Sequence, residues 1–186
     1  KSVLNSNVIP AAIDFEDDCD YNIVQNVTVI VEDYILGWGI DLWVFDAPSG
    51  KTPDYNLIQN NLIKSAGMAI IVVGDWDSTT VVPTVVRPID NIIKANKVGT
   101  PTDSLIAWGI QVERSKGTII ENNIVENVRY YNDYTNPAIN AYGSDDCIIR
   151  NNIVHNVTGS SNIGTKGITL SGETNELGNN NFIYNN

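Results

Sequence analysis

Short segments in which apolar and polar residues alternate recur along this chain at a fixed spacing. The clearest pair of segments begins at Gly109-Ile110-Gln111-Val112 and at Asn122-Asn123-Ile124-Val125. Both return 29 residues later, as Ala138-Ile139-Asn140-Ala141 and Asn151-Asn152-Ile153-Val154. A third copy begins at Gly167-Ile168-Thr169-Leu170, and we align its second half with Asn180-Asn181-Phe182-Ile183. Self-similarity at a period of this size predicts a repeat architecture built from stacked coils.

The aligned copies give columns of equivalent residues, and each column has a structural interpretation. The lead position is always Ile and the position two residues later is always apolar, so both should face inward, with an outward residue between them. The position before the lead is always Gly or Ala, as a tight corner requires. One inward column contains Asn at every position except Val27. Side-chain amides stacked in this way predict an amide ladder. Its members are Asn7, Asn61, Asn96, Asn123, Asn152 and Asn181.

The same columns extend toward the start of the chain and predict one domain over residues 1–186. Further coils open at Ala12, Gly39 and Ala69, and insertions follow Asp46 and Gly74. We therefore expect about six to seven coils with three short strands each. No capping segment is recognised at either end, so the chain is either an excerpt of a longer solenoid or an uncapped assembling subunit.

This pattern resembles the right-handed parallel β-helix of the pectate-lyase-like superfamily, which has three strands per coil and an Asn ladder at the short turn. The resemblance covers nearly the whole chain and implies an all-β solenoid. It does not imply one activity, since this fold hosts lyases, hydrolases, epimerases, tailspikes and inert adhesins. In the enzymes of the superfamily, the substrate lies along the outer face of the first strand of each coil.

The amino-acid composition argues against two classes of binding partner. The net charge of −11 and the pI near 4.3 argue against nucleic acid and anionic membranes, and no apolar run is long enough to insert into a bilayer. Two glycosylation sequons, at Asn26 and Asn156, are compatible with a secreted or cell-surface protein. Cys19 and Cys147 are predicted four coils apart, about 19 Å, so we expect two free thiols.

Acidic residues mark the candidate site. Asp14 and Asp41 occupy one outward column on adjacent coils, so their carboxylates should lie about 5 Å apart. With Glu16 and Asp18 they are candidate ligands of Ca²⁺, a hard cation that prefers oxygen. Alternatively, Asp14, Asp41 and Glu16 are catalytic, because paired carboxylates at this spacing suit a retaining glycosidase. Solvated acids on an outer face remain the third interpretation.

Substrate contacts are predicted along the same face. Trp43 and Tyr142 should point outward and Trp76 should cap an insertion, where their rings would stack on sugars. Glu113 and Arg114 complete the predicted binding residues. A lyase needs a strong base, and no outward position of the first strands is basic. Motifs of the polygalacturonases and the mannuronan epimerases are also incomplete, so the sequence does not establish an enzyme.

Two functions therefore stay open. The first is an extracellular β-helix that engages a polysaccharide, as a polysaccharide lyase or a glycoside hydrolase. The second is a non-catalytic structural or adhesive solenoid that forms homo-oligomers or stacks end to end. A column of apolar residues that includes Ile23, Leu57, Ile92, Ile119 and Ile148 stands beside an inward apolar column. Either a bent corner buries both columns, or the first forms an apolar stripe on an outer face.

Overall fold

Branched apolar residues and Asn-rich corners build a parallel β-solenoid of about five turns, with three strands per turn. The computed structural model describes residues 11–31, 37–77, 79, 84–101, 105–129, 137–158, 166–172 and 178–186. The predicted number of coils was six to seven, slightly more than the structure contains. The predicted coil before Ala11 lies outside the described residues.

The described strands are short, except where one bends across a corner. In chain order they are β1 (Ala11–Glu16), β2 (Ile23–Gln25), β3 (Thr28–Ile30), β4 (Trp38–Trp43), β5 (Leu57–Gln59), β6 (Leu62–Val73), β7 (Asp75–Asp77), β8 (Thr84–Val86), β9 (Ile92–Lys94), β10 (Lys97–Val98), β11 (Leu105–Glu113), β12 (Ile119–Glu121), β13 (Ile124–Glu126), β14 (Ile139–Tyr142), β15 (Ile148–Arg150), β16 (Ile153–His155), β17 (Ile168–Ser171) and β18 (Phe182–Tyr184).

Three parallel stacks run along the solenoid. The first sheet is β1-β4-β6-β11-β14-β17, the second sheet is β2-β5-β9-β12-β15-β18, and the third sheet is β3-β6-β10-β13-β16. Strand β6 belongs to two of them, because Leu62 and Ile63 pair in the third sheet and Ile70 to Val73 pair in the first. Each turn therefore supplies one rung to each sheet.

The interior follows the predicted columns. The lead isoleucines Ile40, Ile70, Ile110 and Ile139 are buried, as is the column two residues later from Leu42 to Ala141. The amide ladder is confirmed from Asn61 to Asn152. The Asn123 side chain, for example, accepts the N–H of Asn96 at 2.9 Å and donates to the carbonyl oxygen of Ile93 at 2.9 Å. Each rung thereby fixes the height of the next.

A second ladder occupies the other Asn-rich corner, and the sequence analysis missed it. Asn22 donates its N–H to the Asn56 side chain, and Asn56 donates likewise to Asn91, both at 2.8 Å. In the following rungs Thr118 and Cys147 take this position. At both corners the residue before the inward side chain has a positive φ, as at Tyr55 and Asn60.

In the last coil the predicted register is confirmed for the first strand, where Ile168 pairs with Ile139, but it was wrong for the second half. Phe182, Ile183 and Tyr184 pair with Ile148, Ile149 and Arg150 of the second sheet, a spacing of 34 residues instead of 29. The amide ladder therefore continues from Asn152 to Asn186, and Asn181 belongs to the second ladder. The error has a physical cause. Both corners use a left-handed residue, then an inward Asn, then two apolar residues, so the last copy fits either corner.

The insertions are local. After Asp46 the chain forms a single 3₁₀ turn, Ala47–Ser49, and after Gly74 it forms the antiparallel hairpin β7–β8. Cys19 and Cys147 are both free thiols, as predicted. Val24, Ile58, Ile93, Ile120 and Ile149 form the inward column of the second sheet.

The apolar column beside that inward column faces solvent, so the bent-corner interpretation was wrong. We name it the outer stripe, and it consists of Ile23, Leu57, Ile92, Ile119, Ile148 and Phe182. Its two end members are 59% and 60% exposed, and the four residues between them are partly buried.

Candidate functional site

Two adjacent strands of the first sheet carry three carboxyl groups and one indole ring at four neighbouring outward positions. Strand β1 pairs with β4 so that Asp14 lies beside Asp41 and Glu16 lies beside Trp43. Ile13 and Phe15 pack against the core, which turns the alternate residues of β1 outward. We call these four residues the acidic grid. Adjacent rungs are about 4.8 Å apart, so the predicted closeness of Asp14 and Asp41 is what the register gives.

Asp41 is buried although its column faces outward. Its exposed fraction is 1%, whereas Asp14 and Glu16 are exposed. Trp38 and Trp43 stand at the two ends of β4, and their ring centroids are 5.2 Å apart. Trp43 follows Asp41 by two residues on the outer face of β4, so its side chain neighbours the Asp41 carboxyl group along the strand.

The carboxyl group of Asp41 is in its neutral form at pH 7. Burial first, and then the neighbouring charges of Asp14 and Glu16, together raise the pKa of Asp41 to about 8. Its Oδ1 atom is buried and has no hydrogen-bond partner. A buried, unpartnered carboxyl oxygen is costly, and it is typical of a group kept for a ligand or for proton transfer.

The pKa values of the two exposed carboxyl groups of the grid are also raised. Burial raises the pKa of Asp14, and a hydrogen bond with Glu16 opposes the rise. The pKa of Glu16 is raised by burial first, then by the charges of Asp14 and Asp17 and by that hydrogen bond.

The acidic grid has no cationic partner within the described part of the chain. No Lys or Arg there lies within 4.0 Å of the Asp14, Glu16 or Asp41 carboxylates. Asp18, a predicted calcium ligand, instead pairs with Lys51 at 2.6 Å.

No arrangement of three or more His, Cys, Asp or Glu side chains able to hold a metal ion occurs in the residues that the structure describes. The calcium site of Asp14, Glu16, Asp18 and Asp41 stays a prediction.

Beyond the grid, the outer face of the first sheet continues as a row of neutral polar groups. Asp41 is followed along its column by Ile71, Gln111, Asn140 and Thr169. Asn140 donates to Gln111 at 3.1 Å and accepts from the Thr169 hydroxyl at 2.6 Å. Gln111 and Asn140 are each only 6% exposed, so the accessible groups of this face are the hydroxyls of Thr169 and Ser171, a kind of group that binds sugar hydroxyls.

The other predicted binding residues are spread along this face. The column of Glu16 and Trp43 continues through Val73, Glu113 and Tyr142. Arg114 pairs with the Glu113 carboxylate at the end of β11. Glu113 and Tyr142 are two and three rungs from Trp43, about 10 and 14 Å along the solenoid, so they would contact other units of an extended ligand.

Trp76 lies on the hairpin and not on the face itself. It is half-buried, pairs with Val85, and follows Val73 of the Trp43 column by three residues. The hairpin lies beside the 3₁₀ turn that follows β4, so both insertions border the same end of the face.

Sequence reasoning missed two features of the site. Trp38 was not among the predicted site residues, but its ring contacts Trp43, and Phe45 meets Trp43 edge-on with centroids 6.1 Å apart. The spacing of three aromatic residues at positions 38, 43 and 45 was the available signal.

Arg87 was the other omission. At the end of the hairpin, its guanidinium donates to the Gly143 carbonyl oxygen at 2.6 Å and lies 3.8 Å from Asp145. No sequence pattern pointed to this contact across a coil.

A second charged cluster lies on the third sheet. Glu126 is buried and sits between Lys97, at 2.9 Å, and His155, at 3.2 Å. Glu126 and His155 are paired residues of the adjacent strands β13 and β16.

Comparisons with known proteins leave the family open. No protein-family model matches the chain, and no curated protein sequence matches it. A helix long and apolar enough to cross a membrane does not occur in the described segments.

Proposed function

We propose that this chain is an extracellular member of the pectate-lyase-like superfamily that binds a polysaccharide along the first sheet and hydrolyses it. The observation that carries the proposal is the pairing of a buried, protonated Asp41 with an exposed Asp14 on the adjacent rung. Two carboxyl groups with separated pKa values supply an acid and a nucleophile.

Hydrolysis is favoured over elimination by the composition of this face. A lyase removes a proton with a strong base, and the outward columns of the first sheet contain carboxyl, amide, hydroxyl, apolar and aromatic groups but no Lys or Arg. Asp41 would protonate the glycosidic oxygen, while Asp14 would attack the anomeric carbon. Carboxyl groups about 5 Å apart leave no room for a water between them, so the anomeric configuration would be retained.

The test is product analysis with purified protein and a panel of neutral, acidic and amino-bearing polysaccharides. We expect new reducing ends without unsaturated products. Asp41→Asn should lower the rate by about 10²- to 10⁴-fold, the usual contribution of a general acid. Asp46→Asn is the matched control, because it removes an exposed carboxylate from the loop after β4 and should leave the rate unchanged. Activity retained in Asp41→Asn would remove the assignment.

The outer stripe supports a second candidate, a non-catalytic solenoid that assembles with itself or adheres to other molecules. Ile23 and Phe182 are 59% and 60% exposed, and Ile153 on the third sheet is 57% exposed. Exposed apolar columns of this kind mark interaction surfaces more often than catalytic ones. Sedimentation measurements distinguish this candidate, since an assembling solenoid associates without added glycan.

A further inference from the structure

We propose that the acidic grid binds a protonated amine, so that the glycan on the first sheet carries free amino groups. This inference rests on the proposed function, because it names the substrate class of the same site. It begins with charge. Asp14, Glu16 and Asp41 occupy three of four neighbouring positions on two rungs, and no cation of the described chain balances them. A bound cation would relieve their mutual repulsion.

The buried carboxyl group of Asp41 indicates that a ligand completes the hydrogen bonds of this site. Asp41 is 1% exposed and its Oδ1 atom accepts no hydrogen bond. An ammonium group has three N–H donors and no acceptor, so it can satisfy Oδ1 of Asp41 and the carboxylate of Asp14 on the adjacent rung. Asp14 and Glu16 are exposed, so an amine approaches the grid from their side.

The rings beside the carboxyl groups favour an organic cation. Trp38, Trp43 and Phe45 form one contact cluster, and Trp43 is itself the fourth corner of the grid. Aromatic faces attract ammonium groups and also stack on the apolar faces of sugar rings. Calcium would need six to eight oxygen ligands, and an indole contributes none.

The remaining surface matches an amino sugar polymer better than an acidic one. A polyuronate would bring carboxylates to three carboxyl groups on a chain whose net charge is −11. A purely neutral glycan would leave Asp41 Oδ1 without a charged donor. Farther along the first sheet, the Thr169 and Ser171 hydroxyl groups are suited to the hydroxyl groups of other sugar units of the polymer.

The binding of an amine has a measurable proton signature. Asp41 is protonated in the free protein at pH 6, since its pKa is about 8, and an adjacent ammonium group favours its ionised form. Binding should therefore release less than one proton per site, and the fraction of Asp41 that stays protonated supplies the general acid of the proposed hydrolysis. Calorimetric titration in two buffers of different ionisation enthalpy measures this release directly.

The experiment compares three oligosaccharides of equal length at pH 6: a glucosamine oligomer, its N-acetylated form and a galacturonate oligomer. We expect the glucosamine oligomer to bind at least about tenfold more tightly than the acetylated form, with proton release, and the galacturonate oligomer to bind most weakly. Asp41→Asn should abolish the proton release and reduce the preference to less than about threefold. Asp46→Asn should change neither, and thermal unfolding checks that both variants fold.

The outcomes separate this inference from the proposed hydrolysis. Equal binding of the amino and acetylated oligomers overturns the inference, even if neutral glycans are cleaved. Tight binding of the glucosamine oligomer without any product supports it and overturns the hydrolysis. The inference would also be overturned if Ca²⁺ alone binds the grid and abolishes the preference for the amino oligomer. That result would favour a metal site.

Discussion

Asp41 couples protonation to folding at the scale of a single residue. Its pKa in the folded chain is about 8 and its ordinary value is 3.8, so between these values the native state binds more protons than the unfolded state. Stability must then fall as pH rises through this window, by at most about 1.4 kcal/mol per pH unit. The raised pKa values of Asp14 and Glu16 act in the same direction.

Asp41→Asn should flatten this dependence, because an amide of the same shape does not titrate. Urea unfolding at about pH 5 and about pH 7.5 measures the effect. We expect the wild type to lose more stability than the variant between the two pH values, and the variant to be the more stable protein at the higher pH. An unchanged difference between the two pH values would show that Asp41 is ionised in the folded chain.

At the scale of the strand and its corner, the small residue before each lead isoleucine has a specific packing role. At Gly109 a Cβ atom would overlap the carbonyl oxygen of Ala138 and approach Val125 Cγ1 within 2.7 Å. At Gly167, in the same column, the nearest atom is Val154 Cγ1 at 3.7 Å. A Gly→Ala substitution therefore overlaps backbone atoms at position 109 and makes only an ordinary van der Waals contact at position 167.

We expect Gly109→Ala to destabilise the chain by about 2 kcal/mol or more, because the backbone of β11 or β14 must move. Gly167→Ala should change stability by less than about 1 kcal/mol. Chemical denaturation of the two variants is the measurement, and each is the control for the other. A similar loss of stability in both variants would show that the overlap at Gly109 is not the cause.

The elements also show how far sequence reasoning reached. The columns of the first sheet could be predicted because alternation of apolar residues around Ile110 and Ile139 fixes register, and a slip by one residue would turn the core outward. The last coil could not be predicted, because Asn180-Asn181 fits both corners of the turn. The burial of Asp41 could not be predicted from the sequence either. It depends on neighbouring side chains that cover the outer face of β4, whereas alternation along the sequence shows only which face a residue takes.

At the scale of the whole molecule, the outer stripe is self-complementary in charge. A second copy placed face to face, with the two-fold axis parallel to the strands, reverses the order of the six rungs. Ile92 then faces Ile119 of the other copy, and Ile23 faces Phe182. In the neighbouring outward column, Lys94 meets Glu121 of the other copy twice. A second copy of this chain is therefore the occupant that the second candidate function requires.

The size of the stripe limits the strength of this association. Five spacings of about 4.8 Å make the stripe about 24 Å long, and only two columns wide, well below the roughly 800 Å² per partner of a stable interface. We therefore expect a weak dimer that appears as concentration rises from about 10 μM to about 1 mM in sedimentation velocity. Ile119→Glu places a charge at the centre of the stripe and should abolish the concentration dependence. Lys64→Gln, which changes the net charge by the same single unit at an exposed position of β6, should not. A wild-type protein that sediments as a monomer throughout this range would leave the solenoid without a self-association surface on its second sheet, and the glycan-binding first sheet would be the better account of the molecule.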